Sequence, residues 1–268
     1  MAKNKQNKNS KKINKKKNLI YNLLLVICVV ILCFSGYKLY SIYSTYKKIE
    51  NENKEINLLV VSDPFKDTRA DINDINTLPE VDIQALKAIN SDVIGYIYIP
   101  STSIGYPILY GETNDTYIKT NIYNEYSSAG SLFVDYRNKS DFSDTNTVIY
   151  GHHMKNGSMF GNLSDFQDNQ YVSEHPYIFI YTEKAIYKYQ IFSSYVDDAM
   201  SSIYTMTFTS QSDILSYLSE IKNKSVLSID VDLKASDKII TLSTCTNITD
   251  TGRYITQAKL VEVKTLGG

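Results

Sequence analysis

The hydrophobic rhythm of the chain changes three times along its length. Positions 19–37 (LIYNLLLVICVVILCFSGY) are nearly all apolar. As a helix rising 1.5 Å per residue this stretch reaches about 28 Å, close to the thickness of a bilayer core. From position 41 the background turns polar and charged, with Ile42, Tyr46, Ile49 and Ile56 at helix-like intervals, which predicts a juxtamembrane helix and spacer over 41–78. Ile83, Leu86 and Ile89 then share one face of a second short helix, Val81–Ile89. Beyond it the period shortens to that of strands broken by turns: Val93–Ile99, Ile104–Tyr110, Ser131–Tyr136, Thr147–Tyr150, Tyr177–Tyr181, Ala185–Val196, Ser225–Val231, Lys238–Thr244 and Tyr254–Val263. One helix interrupts them. Ser210–Asp213 supplies its capping pattern, and Ile214, Leu215, Leu218 and Ile221 its apolar face. The pattern predicts a mainly β barrel or sandwich with helical additions, large enough for one sizeable core.

Charge gives the apolar stretch a direction. The first 18 residues hold eight lysines and no acid. The positive-inside rule therefore predicts a cytoplasmic basic tail (1–18), a single-pass transmembrane anchor (19–40) and an extracellular remainder at the cell membrane. A cleaved signal peptide is the rival reading, but no Ala-x-Ala-like site follows the apolar run. All 29 acidic residues lie beyond position 40 and nine of the 28 basic ones before it, so the exported part carries a net charge of about −10. That balance argues against nucleic acid as a partner.

The residues able to do chemistry are few. Of the three cysteines only Cys245 lies outside the apolar segment, so the exported part cannot form an internal disulfide and keeps one thiol. Cys245 closes the strand-like Lys238–Thr244 run and precedes a turn-rich stretch, Thr246–Gly252. A thiol held there can act as a nucleophile once a neighbour favours the thiolate; the alternative is a small buried hydrophobe. His152 and His153 follow Gly151 at another strand end, and His175 is the remaining histidine. Imidazole suits proton transfer near neutral pH. Adjacent side chains on extended backbone point to opposite faces, and no acidic cluster stands at ligand spacing, so no metal is implied. Arginine occurs only at 69, 137 and 253, against 25 lysines. A guanidinium fork at Arg253 suits a developing oxyanion, with a surface charge on a hairpin as the alternative. No glycine-rich phosphate loop or internal repeat is visible, and no cofactor is expected.

Together these residues resemble the sortases, the cysteine transpeptidases of Gram-positive cell surfaces. Thr241-Leu242-Ser243-Thr244-Cys245 matches the T-L-x-T-C signature, Arg253 falls at the start of the following strand as the family's arginine does, and His152 matches its histidine. Tyr150–Gly161 (YGHHMKNGSMFG) is similar to the class B form, departing from it at His153, where asparagine is usual. Asn90–Ile97, Pro107 and Ser131–Arg137 also fit, and the resemblance spans roughly Leu86–Val263.

The resemblance implies a closed barrel of about eight strands, with N-terminal helices and one helix in a long inter-strand connection, forming a catalytic domain over 79–268. It implies Cys245 as nucleophile, His152 as proton-transfer group and Arg253 as oxyanion donor, with Asn114, Ile118 and Ser243 lining the peptide groove. It implies secreted proteins bearing a C-terminal Asn-Pro-x-Thr-type sorting motif as substrates, cut after Thr through a thioester. The acceptor would be an amine of the peptidoglycan precursor or a pilin lysine. Asn114 as a plain turn residue and Ser243 as a core-facing strand residue remain alternatives. Two other functions compete. An L,D-transpeptidase-like wall enzyme would carry histidine and cysteine in one short segment, whereas 93 positions separate His152 from Cys245. A membrane-anchored adhesin or receptor would bury the thiol.

Overall fold

The computed structural model describes residues 2–60, 71–245 and 251–267, with residues 2–17 and Cys245 described by backbone alone. The chain divides into two compact units, Met1–Ile49 and Glu50–Gly268. The first is helical, the N-terminal part of α1 (Ala2–Val60). Its apolar side chains, among them Leu19, Leu25, Leu32 and Phe34, are exposed, and the segment is long and apolar enough to cross a membrane.

The second unit is built on eight strands: β1 (Val93–Tyr98), β2 (Gly105–Leu109), β3 (Leu132–Val134), β4 (Asn146–Tyr150), β5 (Tyr177–Tyr181), β6 (Ala185–Asp198), β7 (Ile239–Cys245) and β8 (Gly252–Thr265). They close into a barrel in the order β1-β2-β3-β4-β7-β8-β6-β5. Most neighbours are antiparallel, but β2 and β3 are parallel, and so are β4 and β7, the latter in register from Asn146–Ile239 to Tyr150–Ser243. A parallel pair needs a crossover. Between β4 and β7 it holds a 3-10 turn (Leu163–Gln167), α3 (Asn169–Glu174), β5, β6 and α4 (Gln211–Lys224). Val148, Ile149, Ile240 and Leu242 are fully buried, as expected for strands covered on both faces.

The helices follow their caps. α2 (Ile83–Ile89) begins at Asp82, whose carboxylate accepts from the Ala85 amide at 2.9 Å. At the start of α4, Ser210 Oγ accepts from the Asp213 amide at 3.2 Å. Both fit the preference for short polar side chains at helix starts. α4 buries Tyr217, Leu218 and Ile221 against Phe192, Tyr195 and Ile255. Leu215, expected on that apolar face, is instead exposed, and Tyr217 takes the inward place. Residues of the expected spacer enter a second cluster, in which Ile56, Val60, Ile75 and Leu78 pack with Leu86, Val93 and Tyr96.

The strand expected over Ser225–Val231 does not form. The segment bends at Leu227, whose amide donates to Ser225 Oγ at 3.1 Å, while Leu227 and Val231 are buried as its alternation implied. Its backbone contact with β6 is a bond from the Val226 amide to the Ser194 carbonyl at 2.9 Å. β8 occupies one edge of β6 along its whole length, and β5 pairs with the other edge only as far as Gln190. Alternation set which side chains point inward, but the Ser194 amide bonds to Ser225 Oγ at 3.2 Å in place of a main-chain carbonyl, so the single backbone bond does not grow into a ladder.

Candidate active site

The parallel pairing of β4 and β7 decides where the chemistry-bearing residues meet. Parallel neighbours end at the same rim of a barrel, so His152 and Cys245 each lie two residues past the Tyr150–Ser243 pair, on adjacent strands roughly 4.8 Å apart. β8 runs the other way and begins at that rim, with Arg253 directly opposite Cys245 in the β7–β8 ladder. The Cys245 side chain and residues 246–250 lie outside the described residues.

Gly151 makes the turn from β4 to His152 possible. Its amide donates to the Ser243 carbonyl at 3.1 Å, extending the ladder by one bond. A Cβ there would sit 2.7 Å from Phe160 Cδ2 and closer still to Leu132 Cδ2, and both side chains are fully buried. Only glycine lets the chain pass between them. The His152 ring then donates from Nε2 to the Ile118 carbonyl oxygen at 2.6 Å. A carbonyl can only accept, so this bond puts the proton on Nε2 and the lone pair of the neutral ring on Nδ1. His153 turns elsewhere. It packs edge-on against Tyr254, ring centroids 5.5 Å apart at 85°, and its buried Nδ1 has no hydrogen-bond partner among the described residues.

A cleft of about 330 Å³ opens at this rim. His152, Arg253, Asn114, Ile118 and Ser243, all singled out from the sequence, line it, and so do Tyr150 and Tyr204, which sequence reasoning did not select. Ser243 is 1% exposed and its hydroxyl is 2.8 Å from that of Tyr204. Tyr204 stacks obliquely on Tyr150 with centroids 6.0 Å apart. Tyr150 opens the YGHHM run, which was a signal; Tyr204 ends a one-turn 3-10 helix, Ser202–Tyr204, with no distinguishing sequence pattern. Arg253 is half-buried and donates from Nη1 to the Gly252 carbonyl at 2.9 Å. At the same rim a hydrogen bond from Thr251, then the Met200 amide and the charge of Arg253, hold the exposed Asp198 carboxyl below its usual range.

Behind the cleft wall lies a buried carboxylate. Asp135 Oδ1 accepts from the Arg137 amide at 3.0 Å and from Arg137 Nε at 2.9 Å. Its Oδ2 accepts from Arg137 Nη2 at 2.8 Å, Tyr150 OH at 3.0 Å and Asn114 Nδ2 at 3.1 Å. Burial opposes ionisation of Asp135, but the hydrogen bonds from Arg137 and Asn114 outweigh it, and its pKa is lowered. Burial, followed by the Asp135 charge, pushes the Tyr150 phenol strongly up, so it remains a donor. Among the described residues no three His, Cys, Asp or Glu side chains gather at a spacing that would hold a metal ion.

Residues 97–261 match the family model described as the Sortase domain. Sortase B of Listeria monocytogenes is 34% identical over 250 residues, an alignment covering 91% of this chain and 98% of that relative. Sortase B of Staphylococcus aureus is 30% identical over 243 residues, covering 90% and 96%. The solved Staphylococcus aureus sortase B–substrate complex superposes with a TM-score of 0.64 at 33% identity, covering 67% of this chain and 84% of that one.

Proposed function

The chain belongs to the sortase family, with class B members as its relatives, and we propose that it is a cell-surface transpeptidase working through a thioester on Cys245. The observation that carries this reading is the convergence of three strand ends at one cleft: β4 leading to His152, β7 ending at Cys245, and β8 beginning with Arg253.

In the proposed reaction the Cys245 thiolate attacks the carbonyl carbon of the threonine in a sorting motif. The electron pair moves to oxygen, and the Arg253 fork stabilises that oxyanion. As the intermediate collapses, the C–N bond breaks and His152 hands a proton to the departing amine, leaving a thioester. An incoming primary amine attacks the thioester and gives its proton to His152. The C–S bond then breaks, and the thiolate is restored with a new amide formed. The Nε2–H bond to Ile118 leaves Nδ1 as the atom that carries the proton. No ATP enters, because the thioester conserves the reactivity of the acyl group.

The substrates in this reading are secreted proteins ending in an Asn-Pro-x-Thr-type motif or a relative of it. The acceptor is an amine of the wall peptidoglycan or a pilin lysine. Asn114, Ile118 and Ser243 are the proposed groove residues. Their roles differ: Asn114 and Ser243 already hydrogen-bond within the protein, so they shape the groove, while Ile118 presents apolar surface to the peptide. The N-terminal helix anchors the enzyme, with its lysines in the cytoplasm and the barrel outside. The test is a peptide library offered to the full chain in detergent micelles with a glycine-peptide amine, read by mass spectrometry. The reading predicts products in which the amine replaces everything after threonine in one motif class; a library left uncut, or hydrolysed elsewhere, overturns it.

A further inference from the structure

Asp135 is the most heavily hydrogen-bonded carboxylate near the cleft, yet it does not line it. Its side chain is 0% exposed, while that of its counter-ion Arg137 is 49% exposed. Five donors converge on its two oxygens, and two of them, Tyr150 OH and Asn114 Nδ2, belong to residues that form the cleft wall. Those two lie on separate segments that jointly hold the imidazole. Tyr150 stands two positions before His152, and Asn114 four positions before Ile118, whose carbonyl takes the His152 Nε2 proton. Asn114 is gripped from both ends, since its Oδ1 accepts from the Tyr136 amide at 3.0 Å.

We propose that Asp135, charge-balanced by Arg137, is the positioning residue of this active site, locking Asn114 and Tyr150 together and so fixing the groove and the His152–Ile118 contact. The proposal rests on the transpeptidase reading above. A carboxylate is the only common side chain that accepts on both oxygens and donates from neither. Asparagine fills the same volume but turns an NH₂ toward either Arg137 or the Asn114 amide. Facing Asn114 it cannot pair with that residue's own NH₂, so Asn114 must rotate and release the Tyr136 amide; facing Arg137 it meets only donors, and the guanidinium that bridges the two oxygens is displaced. The cleft wall loosens without a cavity being made.

The experiment compares wild type, Asp135→Asn, Tyr150→Phe and the double variant as full chains in micelles. Rates are normalised to active sites counted by thiol labelling, which removes any loss from misfolding. Asp135→Asn should lower kcat/KM per active site by about 10- to 100-fold, chiefly through a raised KM, the scale expected when a positioned wall moves by around 1 Å. A merely structural role would leave KM and kcat per active site unchanged. Because Asp135 acts through Tyr150, the double variant should lose less than the product of the two single losses, as coupled neighbours do. Should Asp135→Asn not fold, the half-exposed Arg137→Gln carries the test, with a smaller rise in KM expected. Variants that match wild type, or losses that multiply, overturn the proposal while leaving the transpeptidase intact. A wild type that cleaves no sorting peptide overturns both.

Discussion

Adding one methyl group at Gly151 should damage stability and catalysis together. In Gly151→Ala the new carbon would lie 2.7 Å and 2.9 Å from Cδ2 and Cγ of Phe160, and nearer still to Leu132 Cδ2. Carbon atoms settle at about 3.5–4.0 Å, so something must give by roughly 1 Å. Leu132 and Phe160 are both 0% exposed, in a packed interior with no slack. Forcing a methyl into such a place typically costs about 1–3 kcal/mol. For a domain of this size each kcal/mol lowers Tm by about 2–4 °C, which predicts a fall of roughly 2–12 °C. The easiest relief is for the end of β4 to back away, and that strains the 2.6 Å His152–Ile118 bond. Misplacing a proton-transfer group by about 1 Å costs on the order of 10²-fold in rate. Circular dichroism melts and kcat/KM on a fluorogenic sorting peptide give the two readouts. Leu132→Val, placed in the Gly151→Ala background, removes the closest clashing methyl and should return part of the lost rate. Wild-type Tm and kcat/KM in Gly151→Ala would refute the packing argument. A rate loss that Leu132→Val leaves untouched would refute its link to His152.

The other predictions separate neighbouring residues by role. His152→Ala should cost about 10²–10⁴ in kcat, the usual range for general acid–base catalysis, whereas His153→Asn should be mild; the reverse ranking would reassign the imidazole. Arg253→Ala should lose about 10²–10³ in kcat with little change in peptide affinity, and Arg253→Lys should recover only part of that because it keeps the charge without the fork. Near-normal kcat with a raised KM would make Arg253 a substrate-binding residue. Fractionated cells should yield a membrane-bound protein that keeps Met1–Tyr37, and a mature N-terminus mapped beyond residue 37 would contradict the uncleaved anchor.

Where a local pattern carried the physics, the sequence was enough. Apolar alternation marked the eight barrel strands to within a residue or two at most ends, and Ser210 capped α4 as its position implied. Strand pairing is not local. Nothing in Ser225–Val231 tells that its backbone bonding to β6 stops at Ser194, whose amide is taken by a side-chain oxygen, so its alternation read as a strand that does not form. The same limit hid the cleft wall. Tyr204 reaches Ser243 across 39 positions, and Asn114 reaches Asp135 across 21. Such pairs exist only once the barrel has closed. Asp135 was one position of the expected strand Ser131–Tyr136, and its burial and five converging hydrogen bonds arise only in the folded chain.

The central claim, a thioester on Cys245, is tested most directly by intact-protein mass spectrometry. The full chain in micelles is mixed with a sorting-motif peptide in the absence of any amine, quenched in acid and weighed. The account predicts a mass increase equal to the peptide fragment ending in threonine, less the elements of water. Proteolysis should map it to Cys245, and neutral hydroxylamine should release it. Cys245→Ala should give no adduct and no cleavage. An adduct on Cys28 or Cys33, or turnover by Cys245→Ala at more than a few percent of wild type, would contradict it.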